Sequence, residues 1–209
     1  MNAHIASLLS GARVLPVLTV PRASAAAPLA EALAAGGARC VEVTLRTPDA
    51  EQAVKAMAAH GGLVVGAGTV LTADQAERAV AAGARFVVSP GLDAEVVDRC
   101  AVLGVPVVPG VATASELMRA LRAGLNTVKL FPAEPLGGPA ALRALAAPFP
   151  HARFVPTGGI TADRLADYLT EPAVLAVGGS WMATPDHLAR EDYAEIRRLT
   201  ARATARSTT

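Results

Sequence analysis

A single lysine interrupts the apolar stretch Thr127-Val128-Lys129-Leu130-Phe131, and a single carboxylate interrupts Cys40-Val41-Glu42-Val43-Thr44-Leu45. Both stretches read as strands of a parallel sheet covered on its two faces, where side chains meet little solvent. An ammonium is costly to bury, so such surroundings favour the neutral amine. A neutral amine attacks carbonyl carbons and forms Schiff bases. With a carboxylate beside it to move protons, that chemistry makes and breaks carbon–carbon bonds near a ketone. Side chains alternate along a strand, so Lys129 shares a face with Phe131, and Glu42 shares one with Thr44 and Arg46. If both faces point inward, amine, carboxylate and guanidinium converge. Plainer readings stand beside this one: Lys129 on a solvated edge, Glu42 as a structural ion partner of Lys129 or Arg46, and Arg46 as a surface cation at a strand–helix junction.

The elements that must position these residues follow from the pattern around them. Short apolar runs alternate with alanine-rich helical stretches. The strand candidates are 14–20, 39–44, 63–67, 85–89, 105–109, 127–131, 153–156 and 174–178, recurring at roughly 20–26-residue intervals, the scale of one supersecondary unit. Helical candidates lie between them, and several end at glycine (Gly36, Gly61, Gly83, Gly104, Gly124) as helix C-termini prefer. Thr72 and Thr161 are placed to cap the helices that follow them. Eight β-α units predict an α/β fold, a single-domain (β/α)8 TIM barrel over residues 1–209, with an N-terminal helix over 2–10, the barrel over 13–181, and a C-terminal helix and tail over 186–209. The tail 200–209 is polar and is expected to fray. A doubly wound open sheet is the alternative.

In a barrel, the loops after strands seven and eight recurrently bind phosphate, because glycine-rich backbone lets N–H groups approach an anion. Pro156-Thr157-Gly158-Gly159-Ile160 and Val177-Gly178-Gly179-Ser180-Trp181 occupy those two places. A valine at 179 is therefore expected to fill the anion's place. Gly66-Ala67-Gly68-Thr69 ends the third strand. It lacks the third glycine of a dinucleotide fingerprint, and its glycines are read as room for substrate, with the Thr69 hydroxyl donating to it. Ser89-Pro90-Gly91 and Pro109-Gly110 would shape the floor and wall. The four histidines show no metal-ligand spacing, which disfavours a zinc-dependent aldolase, and no Ser-His-Asp pattern stands out.

Bulk properties narrow the class. Hydrophobic residues make up 52 % and charged ones 18 % of the 209 residues, as in a compact globular chain. The formal net charge of +1 offers no basic stripe for nucleic acid. Glycines and prolines break the longest uncharged run, between Arg99 and Glu116, well short of a membrane span. The N-terminus shows no signal peptide, so a cytoplasmic location is expected. Cys40 and Cys100 read as buried free thiols.

Six motifs, in order from about Val14 to Trp181, resemble the bacterial 2-keto-3-deoxy-6-phosphogluconate (KDPG) aldolases, which are also described as 4-hydroxy-2-oxoglutarate (KHG) aldolases. They are Glu42-Val43-Thr44-Leu45-Arg46-Thr47, Gly66-Ala67-Gly68-Thr69-Val70, Ser89-Pro90-Gly91, Lys129-Leu130-Phe131-Pro132-Ala133-Glu134, Pro156-Thr157-Gly158-Gly159-Ile160 and Gly178-Gly179-Ser180-Trp181. The resemblance implies a class I aldolase, a lyase of the Entner–Doudoroff route, built as a homotrimer of (β/α)8 barrels with no metal and no organic cofactor. It implies a phosphorylated keto-sugar acid and pyruvate as small-molecule partners. On matching positions, Lys129 forms the Schiff base and Glu42 is the general acid/base. Arg46 and Thr69 hold the pyruvate carboxylate, Phe131 and Pro90 line the reacting end, Gly158, Gly159, Gly179 and Ser180 hold the phosphate, and Thr157 is among the substrate-binding residues. A phosphosugar isomerase or synthase, with Lys129 only a charge, and a non-catalytic phosphosugar-binding barrel are the rival readings.

Overall fold

The computed structural model describes residues 2–206. Helix α1 (Asn2–Ala12) precedes β1 (Val14–Leu18), and β–α alternation follows: α2 (Ala26–Ala35), β2 (Cys40–Thr44), α3 (Ala50–Ala59), β3 (Val64–Gly68), α4 (Ala73–Ala81), β4 (Phe86–Val88) and α5 (Ala94–Val102). Then come β5 (Val107–Val108), β6 (Gly110–Val111), α6 (Ala114–Arg122), β7 (Thr127–Leu130), α7 (Gly138–Ala146), β8 (Arg153–Pro156), α8 (Leu165–Leu169), β9 (Val177–Gly179), α9 (Pro185–Ala189) and α10 (Tyr193–Arg206).

All pairings are parallel, and they run round a ring. One arc is β5-β4-β3-β2-β1-β9 and the other β6-β7-β8. Isolated bridges Phe154↔Val174 and Thr157↔Gly178 join the arcs on one side. On the other side β5 and β6 are two halves of one strand. Proline has no N–H to give a ladder, and at Pro109 the strand changes partner: Val108 pairs with Val88, Gly110 with Lys129. The predicted fifth strand is thus split and carried on to Val111. The ring is the expected (β/α)8 barrel, and its closure removes the open doubly wound alternative.

Alternation sorts side chains into two cores. Val41, Val43, Val128 and Leu130 face outward into the layer between strands and helices. Leu15, Cys40, Phe86, Val88, Val108 and Val155 face inward, where Ile5 and Leu9 of α1 join them and plug the N-terminal end. By the same period Glu42 and Lys129 point inward, one layer above that apolar floor. Cys40 belongs to the floor. Burial pushes its thiol up to about 12 and that of Cys100 up to about 11, so both are inert free thiols, as the sequence predicts.

Two local expectations need correction. Thr72 does cap α4, accepting from the Gln75 amide, but Thr161 is not the N-cap of α8, which is Arg164. The segment after Thr161 closes by i→i+3 bonds, Arg164 N–H to Thr161 O and Asp167 N–H to Arg164 O, a tighter turn that delays α-helix until Leu165. The polar tail does not fray through residue 206. Thr200 is buried and donates to the Ile196 carbonyl at 2.7 Å, and the Thr204 hydroxyl donates to the Gly36 carbonyl at 3.0 Å, so α10 packs on the end of α2. Residues 207–209 lie outside the described region. No described helix is long and apolar enough to cross a membrane.

Candidate active site

The inward faces of β2 and β7 meet across the barrel. Lys129 Nζ donates to Glu42 Oε1 at 3.1 Å, and both residues are buried. Lys129 is 5 % exposed and Glu42 not at all, which removes the solvated-edge reading of the lysine and makes it the ion partner of Glu42. The other carboxylate oxygen, Oε2, is buried with no hydrogen-bond partner among the described residues. The ammonium also sits 5.3 Å from the centroid of the Phe131 ring, within cation–π range.

Glycine makes this pairing possible. A Cβ on Gly68 would lie 2.1 Å from Glu42 Oε1, and one on Gly66 would lie 2.2 Å from the Phe86 ring. These glycines make room for the Glu42 carboxylate and a core ring, which corrects their reading as space for substrate.

A cavity of about 230 Å³ opens over the lysine at the C-terminal end of the strands. Its wall includes Arg46, Lys129, Phe131, Thr157, Gly158, Gly159, Gly179 and Ser180. Arg46 and Lys129 are the charged side chains in that wall, so the cavity favours anions. Arg46 Nε donates to Thr69 Oγ1 at 3.2 Å. Thr69, held at φ 57, thereby fixes the guanidinium and keeps its own O–H free to donate. Glu42 lies beneath the wall, and Thr69 behind Arg46. Pro90 is not in the wall; its carbonyl backs onto Gly110, where a Cβ would sit 2.0 Å from the oxygen.

The expectation for residue 179 needs correction too. A Cβ there would meet the Trp181 ring at 1.7 Å. Valine would displace Trp181 rather than fill the anion's place. Sequence reasoning also passed over Val17, Thr19 and Pro185, which line the cavity. The one signal for the first two was their period-2 position at the end of β1. Thr19 Oγ1 is tied to Thr44 Oγ1 at 3.0 Å, and Thr44 to the Leu18 carbonyl at 2.9 Å, which knits the ends of β1 and β2. Among the described residues, no three of His, Cys, Asp and Glu come together as a metal site requires.

A protein-family model described as KDPG and KHG aldolase matches residues 5–199. The chain belongs to that family. This aldolase is 50 % identical over 192 residues to the 2-dehydro-3-deoxy-phosphogluconate aldolase of Treponema pallidum, an alignment covering 91 % of each chain. Its backbone superposes with a TM-score of 0.92 on the KDPG aldolase of Zymomonas mobilis ZM4 crystallised with 3-phosphoglycerate, at 44 % identity over 98 % of this chain and 97 % of that one. With the KDPG aldolase of Legionella pneumophila, whose structure captured pyruvate as a covalent carbinolamine, the TM-score is 0.90 at 40 % identity, covering 94 % and 96 %.

Proposed function

We propose that this lyase cleaves KDPG to pyruvate and glyceraldehyde 3-phosphate through a Schiff base on Lys129, and 4-hydroxy-2-oxoglutarate to pyruvate and glyoxylate by the same route. The observation that carries the reading is the buried contact of Lys129 Nζ with Glu42 Oε1 at 3.1 Å beneath an anion-favouring cavity. The covalent carbinolamine of the Legionella relative and the phosphorylated ligand of the Zymomonas relative support it.

The pair accounts for every proton. Glu42 takes one from the ammonium, the neutral amine adds to the C2 ketone, and the added nitrogen passes a second proton to the new alkoxide to give the neutral carbinolamine. Protonated Glu42 returns that proton to the carbinolamine hydroxyl, which leaves as water. The site now holds an iminium cation beside a carboxylate, the same charge pattern as the resting ion pair, so no extra buried charge is created. The carboxylate then takes the C4 hydroxyl proton. The C3–C4 electron pair moves into the iminium, giving an enamine and releasing the aldehyde. Glu42 protonates the enamine carbon, and water hydrolyses the pyruvate iminium. The iminium is the electron sink, so the mechanism calls on no metal or organic cofactor. Arg46 and Thr69 hold the pyruvate carboxylate. Gly158, Gly159, Gly179 and Ser180 hold the phosphate, Thr157 lines the same cavity, and Phe131 bounds the reacting end.

Borohydride with pyruvate tests this reading. Reduction of the iminium will leave a stable mass on the peptide containing Lys129. Label on Lys55, or none, would favour a phosphosugar isomerase or a non-catalytic binder, in which the lysine is only a charge. Arg46 gives a second test. Its planar fork grips a carboxylate with two bonds, and lysine offers a point charge. Arg46→Lys will shift the pyruvate dependence of trapping to concentrations roughly 10-fold higher, about the worth of one charge-assisted hydrogen bond. An unchanged dependence would place Arg46 outside the carboxylate site. The whole chain acting as one barrel domain, the homotrimer, the cytoplasmic setting and the Entner–Doudoroff role belong to the same proposal and rest on the family resemblance.

A further inference from the structure

Glu134 closes the Lys129 motif, yet it does not line the cavity. Its surroundings give it a task. Beyond the ends of β7 and β8 the chains stay paired: the Ala133 amide donates to the Thr157 carbonyl at 2.8 Å and the Glu134 amide to the Gly158 carbonyl at 3.0 Å. Gly158 and Gly159 have φ of 104 and 79. A Cβ on Gly159 would lie 2.9 Å from Glu134 Cβ, and one on Gly158 would lie 3.1 Å from Pro132 Cα and 3.2 Å from the Phe131 ring. The glycine loop therefore rests directly on the 131–134 turn. From the far side, buried Tyr168 of α8 donates its hydroxyl to Glu134 Oε1 at 2.8 Å, and Arg164 Nε lies 3.7 Å from the same oxygen. Burial, with the Glu134 carboxylate adding to it, pushes the tyrosine hydroxyl upward, so it stays a donor.

We propose that Glu134 and Tyr168 are positioning residues for the anion site: their hydrogen bond clamps the Thr157–Gly159 loop between the β7 turn and α8, and so fixes where the loop's amides point. This rests on the reading of that loop and Ser180 as the phosphate site. Amides that bind an anion must be held within about half an ångström to be effective. Two consecutive positive-φ glycines have no stiffness of their own, so the stiffness must come from a neighbour, and Glu134 supplies it. Neither residue touches the pyruvate half, which is held by β2, β3 and β7.

Tyr168→Phe tests the clamp, since it keeps the ring in the core and removes one hydroxyl. KM for KDPG will rise about 5–20-fold, the worth of one hydrogen bond to a charged acceptor transmitted through a loop, and inhibition by inorganic phosphate will weaken by the same factor. The pyruvate dependence of borohydride trapping will stay unchanged. Glu134→Ala will reproduce the split, and Glu134→Gln, which keeps an acceptor, will recover most of it. Unchanged KM in both Tyr168→Phe and Glu134→Ala, or a parallel loss in trapping, would overturn the proposal. Ser180→Asp is run beside them. It puts a negative charge at the mouth of the loop, and phosphate inhibition will weaken sharply. If it does not weaken, the phosphate site itself is misplaced. If it does while Tyr168→Phe shows no split, the site stands and the clamp falls.

Discussion

Lys129→Met will lower KDPG cleavage on the order of 10⁵-fold or more, the scale seen when a covalent nucleophile is removed, and will abolish pyruvate trapping. Methionine keeps the length and the apolar stem, so the barrel interior stays filled, but the amine is gone. The variant will also be less stable. Glu42 is buried, Lys129 is the partner of its Oε1, and Oε2 has none. Breaking one side of a buried ion pair costs about 3–5 kcal/mol because it strands the other charge. A low activity could then reflect unfolding, and the double variant Lys129→Met/Glu42→Gln separates the two. With the stranded charge removed, its Tm will recover most of the loss, while activity, followed as pyruvate release, will stay at the floor. Activity in the double variant equal to that of Glu42→Gln alone would mean that Lys129 serves the fold rather than the chemistry.

Much of this site was readable from the chain because a charge in an apolar strand has few explanations. Lys129 and Glu42 each break a run that alternation points inward, and the barrel period puts the ends of those strands at one face. The glycine pairs just after β8 and at the end of β9 were readable for the same kind of reason, since position at the strand ends and residue type agree. What was not readable is where small and apolar residues are used. Val17 looks like any core valine until the ring closes. Gly66 and Gly68 look like substrate-approach glycines. Only the fold shows that the missing side chains make room for Phe86 and Glu42, because β2 and β3 are paired neighbours with Glu42 opposite Gly66 and Thr44 opposite Gly68. The split at Pro109 was hidden because both halves are apolar and extended. The polar tail misled because a helix needs only one narrow face to dock, and Ile196, Thr200 and Ala203 are that face. Glu134 stood in a recognised motif, but its partner Tyr168 lies in another β-α unit, and no spacing rule links them.

Glu42→Gln will reduce turnover by roughly 10²–10⁴-fold, the usual worth of a positioned general acid/base. The amide matches the carboxylate in shape, so the space left by Gly68 stays filled and its carbonyl can still accept from Lys129. It cannot carry a proton. Four steps of the cycle use one at this position: deprotonation of the Lys129 ammonium, loss of water from the carbinolamine, removal of the C4 hydroxyl proton, and protonation of the enamine. The first two can exchange a proton with solvent instead, because the cavity above Lys129 is open. Pyruvate trapping will therefore persist at a reduced rate, while carbon–carbon cleavage falls much further. That split is the signature of proton transfer, for a purely structural carboxylate would affect both together through the lysine's position. Glu42→Asp sharpens the test. It restores a proton carrier but draws it back by one methylene from its 3.1 Å contact with Nζ, so it will recover part of the cleavage lost in Glu42→Gln. Near-normal turnover in Glu42→Gln would confine Glu42 to the ion pair and leave the proton traffic to water.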